Sequence, residues 1–407
     1  MTAIGVFIAI LLAFFIVRLV YRRSGLNKLD VKLYFSATRA TEGAQLVLTT
    51  VLTNGKWLPL PWVAVKLMVS KHLIFADMEN SQITDNYYRN NLYNILMRQR
   101  ITRRLSFICS KRGYYSIPTV DLTAWDILME TKNAAMINCG AQLTVYPSTL
   151  PIDEVDDICV EIYGQLRARN IIHPDPFSFR GIREYSSHDP LKAINFKASA
   201  KAQELMVNLW EYVNARQVIL LYNLQRYSVW HNEVLDEYTI KLVASLAERL
   251  TQENVPVRFI TNGHSVSTKP ESKPKSNEQS LANRIMGIKQ EYPPVKTSDQ
   301  EDYTEISEGV GNLQLERILE NLALLDVERT DIAPFHMILT KIAQIYKTEP
   351  EYWIISTYHG SELEAVYKDL RAKGTRTVWI LPYSVGLRTG ENDISLSPEV
   401  REQVILL

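Results

Sequence analysis

Between Gly181 and Val207 the chain reads GIREYSSHDPLKAINFKASAKAQELMV, and Arg183, Glu184, Asp189, Lys192, Lys197 and Lys201 all fall in that stretch. Guanidinium, carboxylate and ammonium groups this close together can hold an anion, pair with one another, or serve acid–base chemistry. Asp189 before Pro190 is a helix-start pair, an acceptor for the first orphan N–H groups followed by a residue that needs none. The predicted helix sets Lys197 and Lys201 one turn apart, with Lys192 on a neighbouring face. Free N–H groups at its start, beside Arg180 and Arg183, suit an anion. The same residues also suit an ion-paired hinge at a domain seam, with Glu184 and Asp189 satisfying the bases. The hinge is the expectation, partner docking or anion binding is its functional extension, and no catalytic set is expected here.

Other chemistry is scarce. GHSVS (Gly263–Ser267) is one residue short of a hydrolase elbow, because Ser267 stands where a small residue such as glycine is needed and no helix pattern follows. Neither a Walker A pattern nor GxGxxG occurs, so nucleotide binding through those loops is not expected. Three cysteines, Cys109, Cys139 and Cys159, form no CxxC pair, which argues against a zinc ribbon or a disulfide framework. The expectation is no cofactor and no resident metal.

The elements that must position these groups fall into parts. A chain of 407 residues is too long for one ordinary core, and 45 basic against 45 acidic residues gives no basic footprint for nucleic acid. Residues 2–21 are apolar, and Ala3–Val17 carries no charge; basic residues follow the run and none precedes it. This pattern predicts a single transmembrane helix with the bulk of the chain on the cytoplasmic side. Residues 30–148 predict an antiparallel β-sandwich-like domain: Gln45–Asn54 is rich in β-branched residues and ends on an Asn54–Gly55 turn. Asp77–Arg98 has no clear period. Residues 149–210 form the junction carrying the charged stretch.

Residues 211–407 read as α/β. VILLY (Val218–Tyr222) suits a buried parallel strand, Leu242, Leu246 and Leu250 lie at helical spacing, and further strands are predicted at PVRFIT, YWIIST and TVWILP. Ser361 is placed to cap the helix that ends before Gly374. Residues 265–311 are polar, rich in lysine, proline and serine, and predict a flexible insertion. At the strand ends, Asn223 and Gln225 are neutral, which does not suit a hard cation.

The charged stretch resembles the signature of bacterial DUF58 proteins, G-x-R-E-Y ahead of G-D, R-x-I-x-W and A-R. Gly181, Arg183, Glu184, Tyr185, Asp189, Ile194 and Ala200 match; His188, Lys192, Phe196 and Lys201 depart. KRGYY (Lys111–Tyr115), Asn54–Val63 and LTVYP (Leu143–Pro147) are similar to other segments of that family. The resemblance implies a fold of α+β multidomain class: an N-terminal transmembrane helix, the sandwich, and a von Willebrand factor A-like (Rossmann-type) C-terminal domain. It implies a partner- or anion-binding signature of Arg183, Glu184, Tyr185, Asp189, Lys192, Asn195, Lys197 and Lys201. It further implies a structural turn motif of Arg112, Gly113, Tyr114, Tyr115 and Asp126. Metal positions of von Willebrand A domains fall on Asn223, Gln225, Tyr227 and Thr357, all departures, so the metal is not carried over. The implied function is a non-enzymatic adaptor at the bacterial cytoplasmic membrane, partnered by a MoxR-type AAA+ ATPase or other von Willebrand A proteins. The alternative is an anion-binding sensor or enzyme centred on Arg183 and Asp189.

Overall fold

Strict alternation of inward and outward side chains builds the N-terminal part: Leu29, Val31, Leu33 and Phe35 are buried in β1 (Leu29–Phe35) while the residues between them are exposed. The computed structural model describes residues 2–76, 81–83, 86–126, 129, 132–167, 179–186, 194–210, 217–226, 232–265, 303–329, 332–346, 350–383, 396–401 and 403–407. The chain divides into two units. Unit 1 comprises Met1–Thr149, His264–Glu291 and Glu316–Asp326, and unit 2 comprises Leu150–Gly263, Tyr292–Leu315 and Val327–Leu407.

Unit 1 opens with α1 (Thr2–Ser24). Its strands after β1 are β2 (Arg39–Thr41), β3 (Gln45–Asn54), β4 (Leu60–Ser70), β5 (Leu73–Phe75), β6 (Ser81–Ile83), β7 (Asn86–Ile95), β8 (Arg100–Cys109), β9 (Gly113–Trp125) and β10 (Lys132–Tyr146). They make two sheets, β1-β3-β8-β5 and β2-β10-β9-β4-β7-β6. Leu48, Leu52, Leu60, Val63, Phe107 and Leu143 fill the core between them.

The expected transmembrane anchor is corrected. Among the described residues no helix is long and apolar enough to cross a membrane. α1 is helical, and Ile4, Phe7, Leu12, Phe15 and Leu19 stand exposed on it. The uncharged run Ala3–Val17 gives only about 22 Å of helix, against a hydrocarbon core of about 30 Å. The end of the expected span belongs to the sandwich instead. Tyr21 is 3 % exposed within the core, its hydroxyl donates to the Pro59 carbonyl at 2.9 Å, and its own carbonyl accepts from Gly25 N at 2.8 Å and Asn133 Nδ2 at 3.0 Å.

Lys56 closes this helix end. Its Nζ donates to the carbonyls of Ser24, at 2.7 Å, and Gly25, satisfying last-turn acceptors. Burial pulls its pKa down from 10.5 to about 8. With the folded value below the unfolded one, the unfolded chain holds more protons between about pH 8 and 10.5, so the contribution of this group to stability rises with pH across that window. The melting temperature of the natural protein relative to Lys56→Met is therefore expected to climb from pH 8 to 10. A flat difference would mean the ammonium is not desolvated.

Unit 2 contains α2 (Ile152–Arg167), β11 (Phe179–Glu184), α3 (Phe196–Ala202), β12 (Met206–Trp210), β13 (Val218–Asn223), α4 (Glu233–Gln252), β14 (Val257–Thr261) and β15 (Thr304–Gly309). After these come α5 (Gly311–Leu324), which ends in unit 1, α6 (Phe335–Tyr346), β16 (Glu351–Ser356), α7 (Ser361–Ala372), β17 (Thr377–Leu381), α8 (Pro398–Arg401) and β18 (Val404–Leu406). The sheet order is β15-β14-β13-β16-β17-β18, parallel except for β15 at the edge. β13 and β16 are buried at every residue, as central parallel strands must be. α4 is capped by Asn232, which accepts from Leu235 N at 3.2 Å. Ser361 is not the cap of α7 but its first residue; Gly360 occupies the cap position without a side-chain bond. Gly374, at φ +81, ends that helix in a conformation glycine tolerates. Most of the expected 265–311 insertion lies outside the described residues.

Candidate interaction surface

The signature folds into a small ribbon. β11 and β12 pair antiparallel, with Arg183 opposite Val207 and Glu184 opposite Met206, and the chain between them carries α3. Asn195 sets the helix start: its Oδ1 accepts from Ala198 N at 3.0 Å and its carbonyl accepts from the Ser199 hydroxyl at 2.8 Å. The same hydroxyl accepts from Met206 N at 2.8 Å, tying helix to strand. Ile194 bridges to Val207, and Tyr185 N donates to the Leu205 carbonyl at 2.8 Å. Gln203 leaves α3 at φ 59.

Among the described residues of this stretch the helix cap is Asn195; the predicted start at Asp189–Pro190 lies outside them, as does Lys192. Lys197 and Lys201 sit one turn apart on α3, both exposed, and α3 buries none of its residues. Tyr185 is half-buried, while Arg183 and Glu184 are exposed. Arg183 Nη1 donates to the Glu184 carbonyl at 2.9 Å. The expected hinge is buried, whereas Arg183 stands exposed. Arg183→Ala is expected to change stability by no more than about 0.5 kcal/mol; a loss several times larger in a denaturant titration would restore the hinge.

Three apolar side chains of the same stretch stand exposed: Phe196 is 76 %, Leu205 51 % and Ile182 42 % exposed. Phe196 follows directly on the cap, and Leu205 precedes β12, so neither shows a helical or strand period that would mark it. A two-stranded ribbon is marginal alone, and apolar side chains left in water on one carry a cost that a partner would remove.

The turn motif lies in unit 1 and is structural. Arg112 is buried and donates from Nη1 to the carbonyls of Leu322 at 2.7 Å and Leu325 at 3.4 Å, satisfying the end of α5. Gly113 has φ +148, a backbone conformation that glycine adopts without strain. The Tyr115 hydroxyl donates to the Lys111 carbonyl at 2.7 Å and the Arg112 carbonyl at 3.4 Å, and burial pushes the Tyr114 hydroxyl up. Asp126 is buried at the end of β9, and its charge adds to the burial that raises Tyr21.

At the carboxyl ends of β13, β14 and β16, where open α/β sheets take ligands, buried amides bond to each other. Asn223 Nδ2 donates to Ser356 Oγ at 2.9 Å, and Asn262 Nδ2 donates to Asn223 Oδ1 at 2.9 Å and the Ala333 carbonyl at 3.2 Å. Asn262 Oδ1 accepts from Leu224 N at 2.8 Å, and Asn223 Oδ1 from Gln225 N at 2.8 Å. Gln225 Oε1 accepts from Phe335 N at 3.0 Å. Asn223 and Gln225 are spent on tying strand ends together. Tyr227 lies outside the described residues, and Thr357 sits half-buried just past β16. Ser265 accepts from Asn321 Nδ2 at 3.1 Å and bridges to Leu325, a structural use for the serine of GHSVS.

No family model and no curated protein matches the chain. Solved structures similar to part of it include the CARDB domain of a Pyrococcus furiosus protein in complex with di-metal ions, at 10% identity and TM-score 0.19, covering 29% of this chain and 90% of that one. A non-cellulosomal cohesin from Archaeoglobus fulgidus is similar at 12% identity and TM-score 0.20, covering 32% of this chain and 97% of that one. These are likenesses to β-sandwich domains, not to von Willebrand A-like proteins. The von Willebrand A-like relation expected for the C-terminal part is not shown; unit 2 carries a mostly parallel six-stranded sheet closed at its carboxyl edge by amides.

Proposed function

We propose that this chain is a non-enzymatic protein–protein interaction module whose partner docks on the β11–α3–β12 ribbon. One observation carries the reading: Ile182, Phe196 and Leu205 stand exposed on a ribbon whose helix buries nothing. Arg183, Lys197 and Lys201, with Glu184 and Glu204, are exposed in the same short stretch, and an interface commonly joins an apolar centre to charged groups at its rim. The resemblance of this stretch to the DUF58 signature supports a MoxR-type AAA+ ATPase, or another protein with a von Willebrand A domain, as the partner. The test is gel filtration of the purified full chain with the MoxR-type ATPase of its source organism. Co-elution is the expected result. Separate elution, with and without nucleotide, would remove the ATPase as the partner.

A further inference from the structure

Three segments of unit 1 meet where α1 finishes: residues 22–28, 54–59 and 95–100. Hydrogen bonds tie them together. Lys56 Nζ holds the Ser24 and Gly25 carbonyls, Gly55 N donates to the Lys28 carbonyl at 2.9 Å, and Arg98 N donates to the Lys56 carbonyl at 3.0 Å. Asn54, 1 % exposed, donates from Nδ2 to the Leu58 and Leu96 carbonyls, both at 2.9 Å. Buried bonds of this kind fix the loops before anything docks on them.

The joined loops present large apolar side chains to solvent. Trp57 is 66 %, Leu96 58 % and Met97 53 % exposed. The Arg98 guanidinium lies over the Trp57 ring, 4.1 Å from its centroid, a cation–π contact that restrains the indole. The exposed charged residues of the three segments are Arg22, Arg23, Lys28, Arg98 and Arg100, and no aspartate or glutamate occurs in them. Asp126, whose charge acts on Tyr21 at this end, is buried. Phe15 and Leu19 stand exposed on α1 in the turns before Arg22, so the apolar surface continues along the helix.

The charge is of one sign, which selects an anionic occupant, and the apolar groups select one with an apolar layer behind its charges. A lipid surface has both. Indole settles at headgroup level, apolar tips enter the acyl boundary, and arginine and lysine are drawn to anionic headgroups.

We propose that this end of the sandwich rests on an anionic lipid surface, with Trp57, Leu96 and Met97 at headgroup depth and Arg22, Arg23, Lys28, Arg98 and Arg100 against lipid phosphates. The contact is interfacial and asks no helix to span the bilayer. It lies in unit 1, apart from the ribbon in sequence, and its failure leaves docking on the ribbon untouched.

The test mixes the purified full chain with vesicles of phosphatidylcholine, alone or with about one third phosphatidylglycerol, and separates bound from free protein by flotation. Binding to the anionic vesicles is expected to be at least about tenfold tighter. The triple variant Trp57→Ser, Leu96→Ser, Met97→Ser is expected to bind them at least about tenfold more weakly while keeping its unfolding midpoint, since these side chains stand outside the core. Brominated lipid is expected to quench part of the natural protein's tryptophan fluorescence, and Trp57→Phe to bind normally but lose most of that quenching. The proposal is overturned by equal binding to neutral and anionic vesicles, or by quenching that survives in Trp57→Phe. It is overturned equally by a triple variant that binds as the natural chain does, which would leave attachment to α1 alone.

Discussion

Asn262→Leu is expected to destabilise the α/β unit by about 2–4 kcal/mol. Asn262 is 0 % exposed, and its amide makes three bonds, accepting from Leu224 N and donating to Asn223 Oδ1 and the Ala333 carbonyl. Leucine matches its branched outline but leaves the Leu224 N–H buried without an acceptor, the most costly single consequence. Asn223 Oδ1 keeps Gln225 N, so the loss is partial there. Trp353 and Trp379, both 0 % exposed in β16 and β17, lie in this sheet and lend their fluorescence to a denaturant titration. A midpoint shift worth less than about 0.5 kcal/mol would mean that the network is not what holds these strand ends.

The double variant Phe196→Ser, Leu205→Ser is expected to weaken partner binding at least about a hundredfold while leaving the unfolding midpoint near its natural value. The two halves of that statement come from the same fact. Side chains 76 % and 51 % exposed in the isolated chain contribute little to its core, yet they are the large apolar groups a docked partner would desolvate. Lys197→Glu and Lys201→Glu should act more weakly and mainly through association rate, since rim charges steer rather than hold. Unchanged affinity in the double variant, measured by calorimetry, would move the interface off the ribbon.

Where the sequence was legible, burial and period agreed. β13 reads as a continuous apolar run and is buried throughout, and Leu242, Leu246 and Leu250 recur on the inner face of α4. β7 was illegible because its inward positions include Arg89, Asn91 and Tyr93, so the alternation is not apolar against polar. The anchor reading of residues 2–21 weighed apolar content but could not foresee that Tyr21 is committed to the sandwich core. In the signature, two cap-type residues, Asp189 and Asn195, lie close together, and the bond from Met206 N to Ser199 that accompanies the second is a tertiary contact. The amide network joins residues 39 and 133 positions apart, each unremarkable alone, and no local pattern announces it.

The central claim is that the ribbon is where a protein partner docks. Amide hydrogen exchange of the full chain, with and without the MoxR-type ATPase, tests it most directly. The account predicts slowed exchange in Ile182–Glu184, α3 and Met206–Val207, with β13 and β16 exchanging as in the free chain. A complex that protects other segments while the ribbon exchanges at its free rate would contradict it.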